Sequence, residues 1–475
     1  MDFTSFFKGK KITVMGLGLL GRGVGDAAFL AEAGAELIVT DLKTESQLAD
    51  SLEKLSEYPS IRFTLGKHVE EDFEGRDMIL VAAGVPHDSP YLIHARAHGA
   101  RLTQSAALFA ELSKVPMIGI TGTRGKSTTT AMIAHIIEAT TGERVISGGN
   151  IRGVSNLQLL KQVQADSIAV FELDSWQLQG FGWAGISPQV AVFTTFMEDH
   201  LNYYLPKSER NERDGSFISE RGRQESSAYN EAMDAYFADK ANIFINQDDD
   251  GVFVTTPSVF ERAKRFATNR DITIGQEVLL ADESMIPDDA VLSMPGEHNR
   301  LNAALALVAC RSISLSEDEI FEALASFPGV EGRLQLLSTQ DGVRIYNDNN
   351  ATTPQATIAG MEALDLGNKN IVLLAGGADK NIDVVPLAKA ITTHCKSVCL
   401  LPGSGTDRLL PLLEGSEVSV SVLPDLSGAF TAAKQQASIG DIILFSPAFA
   451  SFGLFVNEYD RNDQFMALVR ESETE

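Results

Sequence analysis

Apolar residues fall along this chain in short unbroken runs, separated by longer stretches where they recur at helical spacing. Lys11-Ile-Thr-Val-Met15, Glu36-Leu-Ile-Val-Thr40 and Met78-Ile-Leu-Val81 are the first such runs, and a helical stretch reaching Ala33 separates the first two. Unbroken apolar runs suit strands buried on both faces, and strands alternating with helices predict a parallel, doubly wound sheet. The pattern restarts at Pro116-Met-Ile-Gly-Ile-Thr121, followed by a glycine turn and a predicted helix from Ser127 to Glu138. Further strands are predicted at Arg144–Ser147, Ser167–Phe171, Gln189–Phe193 and Ala241–Ile245, with a helix over Asn299–Ser312. A third series follows at Val343–Tyr346, Ile371–Leu374, Ser397–Leu401, Val418–Val422 and Asp441–Phe445.

A chain of 475 residues is too long for one core. The expectation is an α/β protein of three domains, 1–114, 115–312 and 313–475, the first and last Rossmann-like and the central one built on a parallel sheet with a phosphate loop. Residues 206–230 are rich in Ser, Arg and Glu and poor in apolar side chains, and read as an inserted surface loop.

Composition narrows the function. Apolar residues make up 44% and charged residues 22%, as in globular proteins. No apolar run approaches the roughly 20 residues needed to cross a bilayer, and Met1 to Lys11 has no signal-peptide core. Cys310, Cys395 and Cys399 lack metal-site spacing and fit a reducing cytosol, and Cys395 and Cys399 read as packing residues. The expectation is a cytoplasmic monomer. A net charge of −25 argues against nucleic-acid and anionic-membrane partners, which require basic surfaces. Phosphates must therefore be held by local devices.

Such devices are present. Gly122-Thr-Arg-Gly-Lys-Ser-Thr128 sits between an apolar strand and a helix, where backbone N–H groups and the helix N-terminus converge on phosphate. Lys126 would reach the β- and γ-phosphates and Ser127 a Mg²⁺ ion. The loop is a variant, because Ile120 stands where the usual phosphate-loop pattern has its first glycine. The strand Ser167–Phe171 delivers Glu172, with Asp174 two residues on, and the next strand runs into Glu198-Asp-His200. Carboxylates and imidazole at the C-terminal ends of parallel strands are candidate metal ligands. Gly16-Leu-Gly-Leu-Leu-Gly21, with Asp41 at the end of the following strand, suits any diphosphate at a helix N-terminus, so a nicotinamide-dependent oxidoreductase competes with a nucleotide-sugar reader.

In order along the chain, Thr121 to Ser127, Gly148-Gly-Asn150, Glu172, Glu198-Asp-His200, Gly296-Glu-His-Asn299, Glu331-Gly-Arg333, Asn347-Asp348 and Gly376-Gly-Ala-Asp-Lys380 together resemble the Mur ligases, which build the peptidoglycan stem peptide. With Gly16 to Gly21 and Ser446-Pro-Ala-Phe-Ala-Ser451, the resemblance is to the branch that adds D-glutamate to UDP-N-acetylmuramoyl-L-alanine, with a sister ligase for L-glutamate or another amino acid as the alternative.

The resemblance implies roles. Gly122, Thr123, Gly125, Lys126, Ser127, Thr128, Asn302, Arg333 and Asp348 would bind ATP. Ser127, Glu172, His200 and a carbamylated Lys240 would hold Mg²⁺, with Lys126, Glu172, His200 and Lys240 as the catalytic group. Leu19, Leu20, Asp41, Lys43 and Asn150 would contact the UDP substrate, and Lys380, Thr352, Ser451 and Phe452 the amino acid. Read without the family, Lys240 is a solvated helix residue. ATP contacts on both the central and C-terminal segments predict domain closure on binding substrate. There are departures. Asn350 replaces a usual lysine, Asp174 a serine and Gly332 a histidine, and Glu458 falls near a usual aromatic residue.

Overall fold

The computed structural model describes residues 3–19, 21–199, 201–205, 227–292, 294–365, 367–380 and 382–473, with the side chain of Asn202 left aside. Two calls of the sequence, Leu20 and His200, and most of the 206–230 insertion lie outside the described residues. The chain forms two compact units, Met1–Met285 with Asn302–Ala323, and Ile286–Leu301 with Leu324–Glu475.

The first unit holds two sheets. Strands β1 (Lys11–Met15), β2 (Glu36–Asp41), β3 (Arg62–Leu65), β4 (Met78–Val81) and β5 (Arg101–Thr103) make a sheet of order β3-β2-β1-β4-β5. Strands β6 (Met117–Thr121), β7 (Arg144–Gly149), β8 (Ser167–Glu172), β9 (Val190–Phe193), β10 (Val252–Thr255) and β11 (Glu277–Leu280) make one of order β11-β10-β9-β6-β8-β7. Every pairing in both is parallel. Both are doubly wound, and the central strands are apolar throughout because both faces are covered. One apolar cluster joins the sheets, running from Phe7 and Ile12 to Phe253 and Phe266. Within it Phe109 stacks on Phe171 with ring centroids 4.7 Å apart.

The second unit has one sheet, β12 (Gln335–Gln340), β13 (Val343–Asn347), β14 (Ile371–Gly376), β15 (Cys395–Leu401), β16 (Ser419–Val422) and β17 (Ile442–Phe445), in the order β12-β13-β17-β14-β15-β16. Only the β12–β13 pair is antiparallel. Strand alternation divides its core. Ile371, Leu373 and Ala375 enter one apolar cluster, while Val372 and Leu374 enter the other.

One predicted strand is absent. Ala241 ends the helix Ser227–Ala241, and residues 242–246 turn rather than pair. That run is apolar because Ile243 and Phe244 are core residues, Phe244 stacking on Phe253 at 4.4 Å. Burial alone produced the strand-like pattern there.

Candidate active site

Strand β6 is buried at all five positions and ends against the loop that opens the helix Lys126–Thr141. Gly122 and Gly125 take φ of 148° and 87°, conformations that L side chains rarely adopt. Space forbids a side chain as well: a Cβ on Gly122 would lie 2.0 Å from Thr194 Oγ1, and one on Gly125 2.4 Å from Asn302 Oδ1. The loop is strapped to the segment after β9. Thr123 N donates to Thr195 O at 2.7 Å, Arg124 N donates to Thr195 Oγ1 at 2.9 Å, and Met197 N donates to Thr123 Oγ1 at 3.1 Å. Lys126 folds back, Nζ donating to the Gly122 and Thr123 carbonyls at 2.9 and 3.2 Å. Asn302 Oδ1 accepts from Thr129 Oγ1 at 3.4 Å, which puts this residue, predicted to bind ATP, beside the loop.

Glu172 ends β8, paired in register with Ile120 of β6, so its carboxylate emerges at the same sheet edge as the loop. It is buried, and Asn150 Nδ2 donates to its Oε1 at 3.3 Å. Asp174, offered by the sequence as a companion ligand, is instead the N-cap of the helix Ser175–Ala184. Its Oδ1 accepts from Gln177 N at 2.8 Å, and Gln177 completes a capping box.

Lys240 is 1% exposed. Its Nζ donates to Gly122 O at 2.9 Å and to Thr121 Oγ1 at 3.4 Å, and lies 5.0 Å from the centre of the Tyr236 ring. Burial, aided by the Lys126 charge, holds its amine well below the usual lysine range; Asp174, Asp199 and Glu172 pull the other way without cancelling this. The residue that helix patterning alone assigns to solvent therefore sits beneath the phosphate loop. Burial that disfavours the charged amine favours its reaction with CO₂, so these surroundings suit the expected carbamate, an oxygen donor of the kind Mg²⁺ takes. Arg124 pairs with Asp199 at 3.7 Å.

A cavity of about 1210 Å³ opens at the C-terminal edge of the first sheet. Leu19, Asp41 and Lys43 line it; Asn150 does not. Asp41 organises the glycine turn, Oδ2 accepting from Leu17 N and Gly18 N at 2.9 and 3.1 Å and Oδ1 from Lys43 N at 2.8 Å. Asn150 stands behind the lining residue Arg22, whose Nη1 donates to its Oδ1 at 2.7 Å. The sequence reading missed Arg22, His68, Tyr91 and Gln104 on the cavity wall. Gln104 is 2% exposed, and neither end of its amide has a hydrogen-bond partner among the described residues.

In the second unit Asp348 follows β13 and is buried. It accepts from Ser446 Oγ at 2.8 Å and from Leu334 N at 3.2 Å, and burial raises its carboxyl to about 7. Beside it, Lys380 Nζ donates to Thr352 Oγ1 at 2.9 Å, joining two residues predicted to read the amino acid. Ser451 is buried and the adjacent Phe452 is 69% exposed. Two departures from the family pattern prove to be neighbours. Asn350 N donates to Gly332 O at 2.9 Å and its Nδ2 to Glu331 O at 3.2 Å, and a Cβ on Gly332 would lie 3.0 Å from that Nδ2. Arg461, also missed, is fully buried. It donates to Asn349 Oδ1 at 2.8 Å, Asn349 O at 2.9 Å and Phe449 O at 3.2 Å, tying down the loop that begins at Asp348. Burial lowers its guanidinium to about 10.

A glycine loop at a parallel sheet edge, with a buried lysine below it and a large cavity over a second Rossmann-like sheet, fits an ATP-dependent ligase of the acid–amino-acid type. Family models agree along the chain: the MurD-like N-terminal domain matches residues 10–104, the Mur ligase middle domain 120–310, and the Mur ligase glutamate ligase domain 332–449. The chain belongs to the Mur ligase family. It is similar to the UDP-N-acetylmuramoylalanine–D-glutamate ligase of Roseiflexus sp. (strain RS-1), 37% identical over 97% of this chain and 98% of that one. The same enzyme of Treponema pallidum (strain Nichols) is 32% identical over 98% of each. Among solved structures, the UDP-N-acetylmuramate-alanine ligase MurC of Thermotoga maritima matches with a TM-score of 0.56 at 17% identity, covering 98% of this chain and 100% of that one. The MurF ligase of the same organism, in complex with ADP, has a TM-score of 0.56 at 14% identity, covering 99% and 96%. These two speak for the fold.

Proposed function

We infer that the chain joins D-glutamate to UDP-N-acetylmuramoyl-L-alanine with conversion of ATP to ADP, in the cytoplasm and as a monomer. The near-full-length likeness to ligases of that name supports the choice of substrates. The observation that carries the chemistry is Lys240, buried against the Gly122 carbonyl, where burial holds its amine well below the usual lysine range.

In the first step a carboxylate oxygen of the substrate attacks the γ-phosphorus, the bond to the β–γ bridging oxygen breaks, and ADP leaves an acyl phosphate. In the second the amino group of glutamate attacks the acyl carbon, phosphate departs, and the nitrogen gives up a proton. Loop N–H groups, Lys126, Ser127 and Thr128 position the phosphates, and positioning supplies most of the rate in phosphoryl transfer. Ser127, Glu172, His200 and carbamylated Lys240 are the residues to hold Mg²⁺, which when bound neutralises phosphate charge. Asn302, Arg333 and Asp348 are assigned to the nucleotide. Leu19, Leu20, Asp41, Lys43 and Asn150 are assigned to the UDP substrate, Asp41 and Asn150 through the loop and the arginine that they hold. Lys380, Thr352, Ser451 and Phe452 are assigned to glutamate.

The test mixes purified protein, ATP, Mg²⁺ and UDP-N-acetylmuramoyl-L-alanine with D-glutamate, L-glutamate or another amino acid, and reads phosphate release and product mass. One glutamyl addition with the D-isomer alone is expected. Addition of L-glutamate or another residue instead would move the assignment to a sister ligase.

A further inference from the structure

On the first unit's surface, away from the residues assigned above, Glu74, His94 and His98 each bring one ligating atom within 4.8 Å of the others. His94 and His98 lie four residues apart, at the end of the helix Pro90–Ala97 and at its C-cap, and so project from one face. Their rings sit 4.1 Å apart, centroid to centroid. Glu74 comes from a different element, directly after the 3₁₀ turn Glu70–Phe73. Its Oε1 lies 3.1 Å from His94 Nε2, the side chains being 50% and 20% exposed.

One contact orients the donor set. His98 Nδ1 lies 2.9 Å from the His94 carbonyl oxygen. A carbonyl only accepts, so the proton of a neutral His98 is on Nδ1 and the lone pair on Nε2. That is the arrangement metal-binding imidazoles use, the second nitrogen being fixed by a backbone or carboxylate acceptor. Paired histidines at this helical spacing, joined by one carboxylate, form a three-donor set with an open position.

We propose that Glu74, His94 and His98 form a binding site for a late divalent transition ion. Two imidazoles select Zn²⁺, Ni²⁺, Cu²⁺ or Co²⁺ over Mg²⁺, which prefers oxygen. Tetrahedral coordination with metal–nitrogen bonds of about 2.0–2.1 Å sets donor atoms roughly 3.3 Å apart, so side-chain rotation must draw together donors that now lie within 4.8 Å of one another. The ion clips the end of a helix to the residue that follows the 3₁₀ turn Glu70–Phe73. That helix begins with Pro90 and Tyr91, both on the cavity wall. The site therefore anchors the far end of an element that borders the cavity.

The test uses the full chain freed of any histidine tag. Zn²⁺ is titrated calorimetrically in excess Mg²⁺, which keeps oxygen-rich sites occupied, and Co²⁺ is added separately for its visible absorption. The wild type is expected to take up one Zn²⁺ per chain, to gain thermal midpoint by mass action on the folded state, and to give a tetrahedral Co²⁺ spectrum. His98→Ala should weaken that binding at least tenfold and His94→Ala/His98→Ala should abolish it, while ligase turnover in Mg²⁺ stays unchanged. Glu74→Gln should weaken it to a smaller degree. These positions are exposed or half-buried, so the variants fold, which circular dichroism verifies. Equal Zn²⁺ isotherms for the wild type and the double variant would overturn the site, as would a Zn²⁺ equivalent lost in Glu172→Gln but retained in His98→Ala.

Discussion

The phosphate loop of the first unit and the Asp348–Thr352 loop of the second are both immobilised, but by different means. In the first, two glycines take conformations other residues avoid, and the turn bonds to the segment after β9 through the Thr123 and Thr195 side chains as well as through backbone. In the second, Arg461 reaches across 112 residues of sequence to both the amide and the carbonyl of Asn349, adding to the bonds that Asp348 and Asn350 make with Ser446, Leu334 and Gly332. The glycine-built loop should fail at its glycines. The loop crossed by a buried arginine should lose most when that arginine is changed.

The deepest cut is expected at Lys240, beneath the glycine-built loop. Lys240→Ala should lose turnover on the order of 10³-fold, with part restored by acetate standing in for the carbamate. Near-normal rates in bicarbonate-free buffer would sink the carbamate assignment. Next comes Arg461→Met, which strands three buried acceptors and should cost roughly 3 kcal/mol in urea unfolding. A loss under about half a kcal/mol would mean the loop holds itself. Gly125→Ala should cost about 2 kcal/mol through its positive φ and the clash with Asn302, and raise the KM for ATP. An unaltered KM would show that the loop absorbs the methyl group.

The shallowest effect, taken per pH unit, is a pH slope. The Asp348 carboxyl titrates near 7 in the folded chain against an ordinary value of 3.8. Below about pH 4 both states hold the proton; between there and about 7 only the folded state does. Stability therefore falls as pH rises through that window, by at most about 1.4 kcal/mol per pH unit, and Asp348 adds no slope above it. Asp348→Asn should remove this component from denaturation curves taken at several pH values. An unchanged slope would show that the carboxyl is ionised throughout.

What sequence disclosed divides along the same line. The phosphate loop was legible because its chemistry is local: strand, glycines, lysine and helix are consecutive. The parallel sheets were legible from runs such as Ile371–Leu374. Lys240 was legible only by resemblance, since helix patterning says nothing about a lysine directed inward. Arg461 and Arg22 were not legible at all, because each acts on a loop more than a hundred residues away. The capping role of Asp174 was not legible because a capping carboxylate and a metal ligand look alike at the end of a strand. Ile243 and Phe244 were misread because core turns and short strands share an apolar run.

The contact between Gly332 and Asn350 has a corollary for redesign. A Cβ at 332 would lie 3.0 Å from the Asn350 side-chain nitrogen, so the two positions pack as one unit. A lysine at 350 alone would discard the amide that closes over Gly332, and a histidine at 332 alone would drive a side chain into it. Grafts into this loop should therefore move the pair together.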